Sequence, residues 1–111
     1  MESEIYAFET WFSQLKIKTR GEKVSRAASV IAQEIKLRYG INVWFAEILG
    51  KRWSYLGGEG HEFPSPSLSS LPLSTHYGIV AEHWEQIPPH EGTRLLDFLK
   101  EYFQKLDTHG S

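Results

Sequence analysis

INVWFAEILGKRWSYLGG, residues 41–58, has the pattern of two strands joined by a tight turn at Gly50-Lys51. Val43, Trp44, Phe45, Ile48, Trp53 and Tyr55 are the β-branched and aromatic types that suit a pleated surface. A two-residue loop with Gly first fits a hairpin, because Gly accepts a positive φ without a Cβ clash. The turn fixes a register: Leu49 opposite Arg52, Ile48 opposite Trp53, Glu47 opposite Ser54, Ala46 opposite Tyr55, Phe45 opposite Leu56. Side chains alternate along a strand. One face therefore carries Trp44, Ala46, Ile48, Trp53 and Tyr55. The other carries Val43, Phe45, Glu47, Leu49, Arg52, Ser54 and Leu56. The first is nearly all apolar and is expected to take the helices. The second is apolar at one end only and is expected to be left to other parts of the chain.

Outward from the hairpin, the preceding segment reads as a helix from a Thr19 cap to about Tyr39. Thr19-Arg20-Gly21-Glu22 matches a capping box. Val24, Ala28, Ile31, Ile35 and Tyr39 form its apolar stripe, with Ala27 and Ala32 beside it, small enough for close approach to the sheet. Gly40 is a natural stop. Before it, residues 4–15 form another amphipathic helix, with Ile5, Phe8, Phe12 and Leu15 on one stripe and Trp11 near it. Lys16, Lys18, Arg20, Lys23 and Arg26 put five cations within eleven residues. A solvated helix junction accounts for them.

After the hairpin, HEFPSPSLSSLPLST (residues 61–75) contains three prolines and five serines. That composition predicts a loop. Its Phe63, Leu68, Leu71 and Leu73 predict a loop that lies on an apolar surface. HYGIVAEHW (residues 76–84) reads as a third main strand. Pro89 then opens the most clearly amphipathic helix, with Leu95, Leu99, Tyr102 and Leu106 as its stripe, widened by Leu96, Phe98 and Phe103. Strands grouped between helices define an α+β class: an antiparallel sheet of at least three strands with helices packed on one face, in the order α-α-β-β-loop-β-α.

Composition narrows the function. The 111 residues suit one domain with one core. The chain is 41% hydrophobic, a globular composition, and its net charge of −2 gives no general attraction to nucleic acid or anionic lipid. The absence of cysteine excludes disulfides, thiol catalysis and thiolate-bound metal. No run approaches the roughly 18 apolar residues of a membrane helix, and the acidic start MESEIYAFE is unlike a signal peptide. A cytoplasmic protein without membrane contact is expected. His61, His76, His83, His90 and His109 fit no standard metal spacing, and His76 and His83 fall on opposite faces of their strand. No nucleophile elbow, phosphate-binding glycine loop or paired carboxylate pattern is present. The expectation is a non-enzymatic protein with no cofactor and no metal.

Two segments resemble the GAF domain, a ligand-sensing and dimerising module of signalling proteins. IAQEIKLRYGINVWFAEILGKRWSYLGGEG, residues 31–60, resembles its opening, where a long helix ends in Gly and leads to two antiparallel strands. GIVAEHWEQIPPHEGTRLLDFLKEYFQKL, residues 78–106, resembles its ending, where the last strand passes through a proline-bearing link into the C-terminal helix. The interval between them is short for that family. The resemblance implies a shortened GAF-like core over residues 19–106, preceded by an N-terminal helix over 1–18. It implies a regulatory or interaction module that forms a homodimer or meets a signalling partner. Phe8, Trp11, Phe12 and Leu15 are the expected interface. Val43, Phe45 and Leu56 are the expected floor of a small-molecule site, with Phe63, Leu68 and Leu71 closing it from the loop. A winged-helix DNA-binding regulator and a small acidic chaperone or adaptor are the alternatives. Nucleic acid is not the expected partner.

Overall fold

The computed structural model describes the backbone of residues 2–58 and 69–109, and the side chains of residues 7–58 and 70–107. Helix α1 (Glu2–Thr19) and helix α2 (Val24–Tyr39) precede strands β1 (Val43–Leu49) and β2 (Arg52–Gly58). Strands β3 (Ser69–Pro72) and β4 (Tyr77–Ala81) follow, then a short 3₁₀ turn at Trp84–Gln86 and helix α3 (Pro89–His109). The four strands form one antiparallel sheet in the order β2-β1-β4-β3. The α+β class and the antiparallel sheet are as expected. Among the described residues, no helix is long and apolar enough to cross a membrane.

The hairpin closes at Gly50, whose φ is +68°. From Leu49↔Arg52 to Ala46↔Tyr55 the register is the one the turn dictates. It then shifts: Phe45 lies opposite Gly57, not Leu56, across a bulge between Phe45 and Ala46. One extra residue in β2 is thereby absorbed, and the strand bends. The shift brings Gly57 into the row of Phe45, under α2. A Cβ at Gly57 would stand 3.0 Å from Ser29 Oγ, 3.1 Å from Ala28 Cβ and 3.1 Å from the Ser25 carbonyl oxygen. Glycine on the strand and alanine on the helix together set that short separation.

The expected polarity of the sheet is inverted. Val43 and Phe45, both fully buried, belong to the cluster that also holds Phe12, Leu15, Ile31, Ile35, Leu95, Leu99 and Phe103. Phe45 stacks on Phe103 at 5.5 Å between ring centroids. β4 agrees: Ile79 and Ala81 pair with Phe45 and Val43 and join the same cluster. Trp44, Ala46, Trp53 and Tyr55 occupy the reverse face and lie outside that cluster. The physical reason lies in the partner strand. β4 adds Gly78 and Val80 to the tryptophan side and Tyr77, Ile79 and Ala81 to the other, so the hairpin alone misjudges which face is continuous. Glycine at 78 makes room for the Trp53 indole. A Cβ there would lie 2.5 Å from Cη2 and 2.6 Å from Cζ3 of that ring.

Three boundaries also move. α1 runs through Thr19, whose hydroxyl donates to the Leu15 carbonyl oxygen at 3.0 Å. Thr19 therefore finishes α1 and forms no capping box with Glu22; Lys23 precedes α2 without a side-chain cap. Part of the expected loop is β3, paired with β4. The third expected strand stops at Ala81, because His83 turns left-handed at φ 57° and starts the 3₁₀ turn.

Candidate functional site

The sheet's outer strand β3 and helix α3 do not close on each other near the 3₁₀ turn. Between them lies a cavity of about 410 Å³, lined by Ser70, Leu71, Ile79, Ala81, Trp84, Glu85 and Leu96. Its origin is local. The left-handed residue His83 ends β4 and swings Trp84 under the N-terminal turns of α3. Gly92, on α3, lies against the indole, where a Cβ would make ordinary contact with Trp84 Nε1 at 3.5 Å and Ile87 Cγ2 at 3.6 Å. Trp84 then separates the cavity from a neighbouring cleft of about 350 Å³ that adds Ile87, Pro89, Gly92 and Thr93. The floor is apolar. Leu71, 40% exposed, is the largest unshielded side chain in it. Glu85, whose side chain is 79% exposed, supplies a carboxylate at the rim, with His83 Nδ1 3.7 Å away.

A second constellation joins the helices. Arg38 lies over the rings of Phe8, Trp11 and Tyr39 at 5.2–5.5 Å and 3.6 Å from Glu91. The Tyr39 hydroxyl donates to Glu91 at 2.6 Å. Burial, then the bond to the Glu91 carboxylate, push the Tyr39 pKa up, so the phenol keeps its proton. Trp11 Nε1 donates to Glu34 at 3.1 Å. Arg94 lies over Phe8 and Phe12 and pairs with Glu9. The rings and carboxylates pin α1 to α2 and α3, and the Arg38 Nε is buried without a partner.

At the other end of α3, Asp107 reaches the turn before β4. Its Oδ1 lies 2.8 Å from His76 Nδ1, and its Oδ2 accepts from the His76 backbone N–H at 3.2 Å. Burial opposes ionisation of Asp107, but the nearby Ser74 hydroxyl and the two His76 groups outweigh it and lower the pKa. The Ser74 hydroxyl is buried beside that carboxylate.

The expected binding residues are dispersed. Val43 and Phe45 are core residues beneath the helices, and Leu56 packs against that core. Of the described members of the set, Leu71 alone lines the cavity. Phe63 and Leu68 lie outside the described residues. Of the expected interface, Phe8, Phe12 and Leu15 are buried within the chain itself and Trp11 packs beside them. Their apolar surface is already covered, because the stripe of α1 meets α2 and α3. The residues that do line the cavity, Ile79, Ala81, Trp84 and Leu96, read in sequence as strand, strand end and helix stripe. Pro88-Pro89 after Trp84 was the available signal that the chain turns there. Among the described residues no three His, Asp or Glu side chains converge in a metal-binding group. Compared with known proteins, the chain matches no family model, no curated protein and no solved structure.

Proposed function

We propose that the chain is a non-enzymatic regulatory or interaction module of shortened GAF-like type, which takes an apolar group into the cavity beside Trp84. The observation that carries this is the cavity itself: a volume of about 410 Å³ with leucine, isoleucine, alanine and tryptophan in its lining. Binding sites of small ligands fall in that size class and are mostly apolar, with few polar groups. The Glu85 carboxylate at the rim, with His83 Nδ1 3.7 Å away, selects and orients a ligand. The helix that ends at Gly40 and leads into β1 and β2, and the proline-bearing link from β4 into α3, support the GAF-like part.

The test is a screen of aromatic and aliphatic fragments by thermal shift, repeated on Leu96→Arg. Leu96 lies partly exposed on α3, so the variant should fold. A fragment that binds at 100 times its Kd stabilises by about 2.7 kcal/mol. Fragments that stabilise the parent and not the variant are the expected result. Equal stabilisation of both, or of neither, overturns the assignment.

A further inference from the structure

The cavity runs alongside a sheet edge with open hydrogen-bonding positions. β3 is the outermost strand, and among the described residues no strand pairs with its outer side. The Leu73 N–H donates to the Tyr77 carbonyl oxygen at 2.8 Å, so Leu73 faces β4. Backbone direction alternates along a strand, so Leu71 also faces β4, while Ser70 and Pro72 direct their backbones outward. Pro72 fits this assignment, since proline is tolerated where the missing N–H would face away from the sheet. The outer edge thus offers the Ser70 N–H, the Ser70 carbonyl and the Pro72 carbonyl. Leu71 pairs with Ile79 and so shares its face of the sheet, over the cavity.

We propose, resting on the cavity as binding site, that its occupant is an extended peptide segment of a partner protein. The segment adds to β3 as an antiparallel strand. Its backbone pairs with Ser70, and the side chain opposite Leu71 enters the cavity beside Trp84. The residue two positions further toward the peptide's C-terminus lies opposite Ser69, on the same face. Among the described residues Glu85 is the only charged side chain in the cavity lining, so charge complementarity favours Lys or Arg there. The recognised class is therefore an apolar-x-basic segment in extended form. Main-chain bonds supply affinity and alternate side chains supply selectivity.

The probe is a display library of linear heptapeptides, from which a selected sequence is synthesised with blocked termini. Titration into ¹⁵N-labelled protein should shift the Ser70 amide and slow its hydrogen exchange. Ser70→Pro removes the one outward N–H, at a position where Pro72 shows that this edge accepts proline, and it also changes one residue of the cavity lining. Peptide affinity is expected to fall at least tenfold in this variant, and fragment titration of the same variant measures how far the changed lining residue affects the cavity itself. Methylating the peptide nitrogen that faces Ser70 should reproduce the loss on the unaltered protein. If the peptide binds Ser70→Pro and its methylated form binds the parent with undiminished affinity, or if no peptide is selected although fragments bind, the strand-addition proposal is overturned and the cavity assignment survives. If neither fragment nor peptide binds, both fall.

Discussion

On one side of the sheet Phe45 lies fully buried against Phe103; on the other Trp53 lies only partly buried across Gly78. Both are large aromatic residues on paired strands of one hairpin. Phe45 sits on the central strand β1, between β2 and β4, where α2 and α3 reach the sheet. Trp53 sits on the outer strand β2, on the face outside the helical cluster. Residue type is thus a poor guide to which face is the core. Continuity is better: Val43, Phe45, Ile79 and Ala81 form an unbroken apolar surface across two strands, and amphipathic helices bury most area on such a surface.

The sharpest way to break this comparison is to truncate one aromatic on each face. Phe45→Ala leaves a void between sheet and α3 and should cost about 3–5 kcal/mol. That is a large share of a typical domain's stability of about 5–15 kcal/mol. Trp53→Ala, at a partly buried position, should cost less, about 1–2 kcal/mol. Urea denaturation of the two variants, followed by far-UV circular dichroism, gives both numbers. Equal costs, or a larger cost at Trp53, would remove the distinction between core face and reverse face.

The glycines sharpen it further. An added methyl at Gly57 meets the Ser25 carbonyl and the Ala28 methyl, groups fixed in α2. Overpacking of that kind costs about 1–3 kcal/mol. An added methyl at Gly78 meets the far end of the Trp53 ring, which can swing toward solvent, and stands 3.2 Å from the Leu71 carbonyl oxygen, which must give by a few tenths of an ångström. Gly78→Ala should therefore fall at the low end of that range, about 1 kcal/mol, and raise the solvent exposure of an indole. Thermal melts rank the two variants, and acrylamide quenching of tryptophan fluorescence should rise for Gly78→Ala alone.

How much of this was legible in the sequence divides along the same line. The hairpin turn, the stripe Ala28, Ile31, Ile35 on α2 and the stripe Leu95, Leu99 on α3 follow from local periodicity, and all of those residues are buried as the periodicity requires. The face of the sheet that they cover is a non-local fact. It depends on β4 joining β1, and on a bulge that puts Gly57 in place of Leu56 under α2. A bulge is a one-residue change in pairing, and the alternation of Tyr55, Leu56 and Gly57 does not announce it. Thr19 shows a second kind of ambiguity: the same hydroxyl serves as the N-cap of one helix or bonds back to the carbonyls of the previous one. α1 keeps it, with Thr19 bonded to the Leu15 and Lys16 carbonyl oxygens. The cavity was invisible for a related reason. Its walls come from β3, β4, the 3₁₀ turn and α3, and only the left-handed His83 brings them together.

The smallest expected effect concerns how α3 is fastened over the helix side. Asp107 ties the last turns of α3 to the backbone and side chain of His76, next to Tyr77, which packs on Phe103 at 5.2 Å. The Asp107 pKa is lowered in the folded chain, against about 3.9 when unfolded. A depressed carboxylate contributes stability that is complete above the unfolded pKa. The contribution is lost as pH falls through the folded pKa, so the window lies below about pH 4. Asp107→Asn should then lower stability at pH 7 by about 0.5–1 kcal/mol, the range for a partly exposed ion pair. As pH falls from 4 toward 3 the gap between the variant and the parent should narrow, because the unfolded carboxylate takes up its proton first. Urea midpoints at pH 7, 5, 4 and 3 test this. A gap between the two proteins that stays constant down to pH 3 would show that Asp107 acts through its shape and hydrogen-bonding alone, and that its charge does not help to hold α3 against the core face.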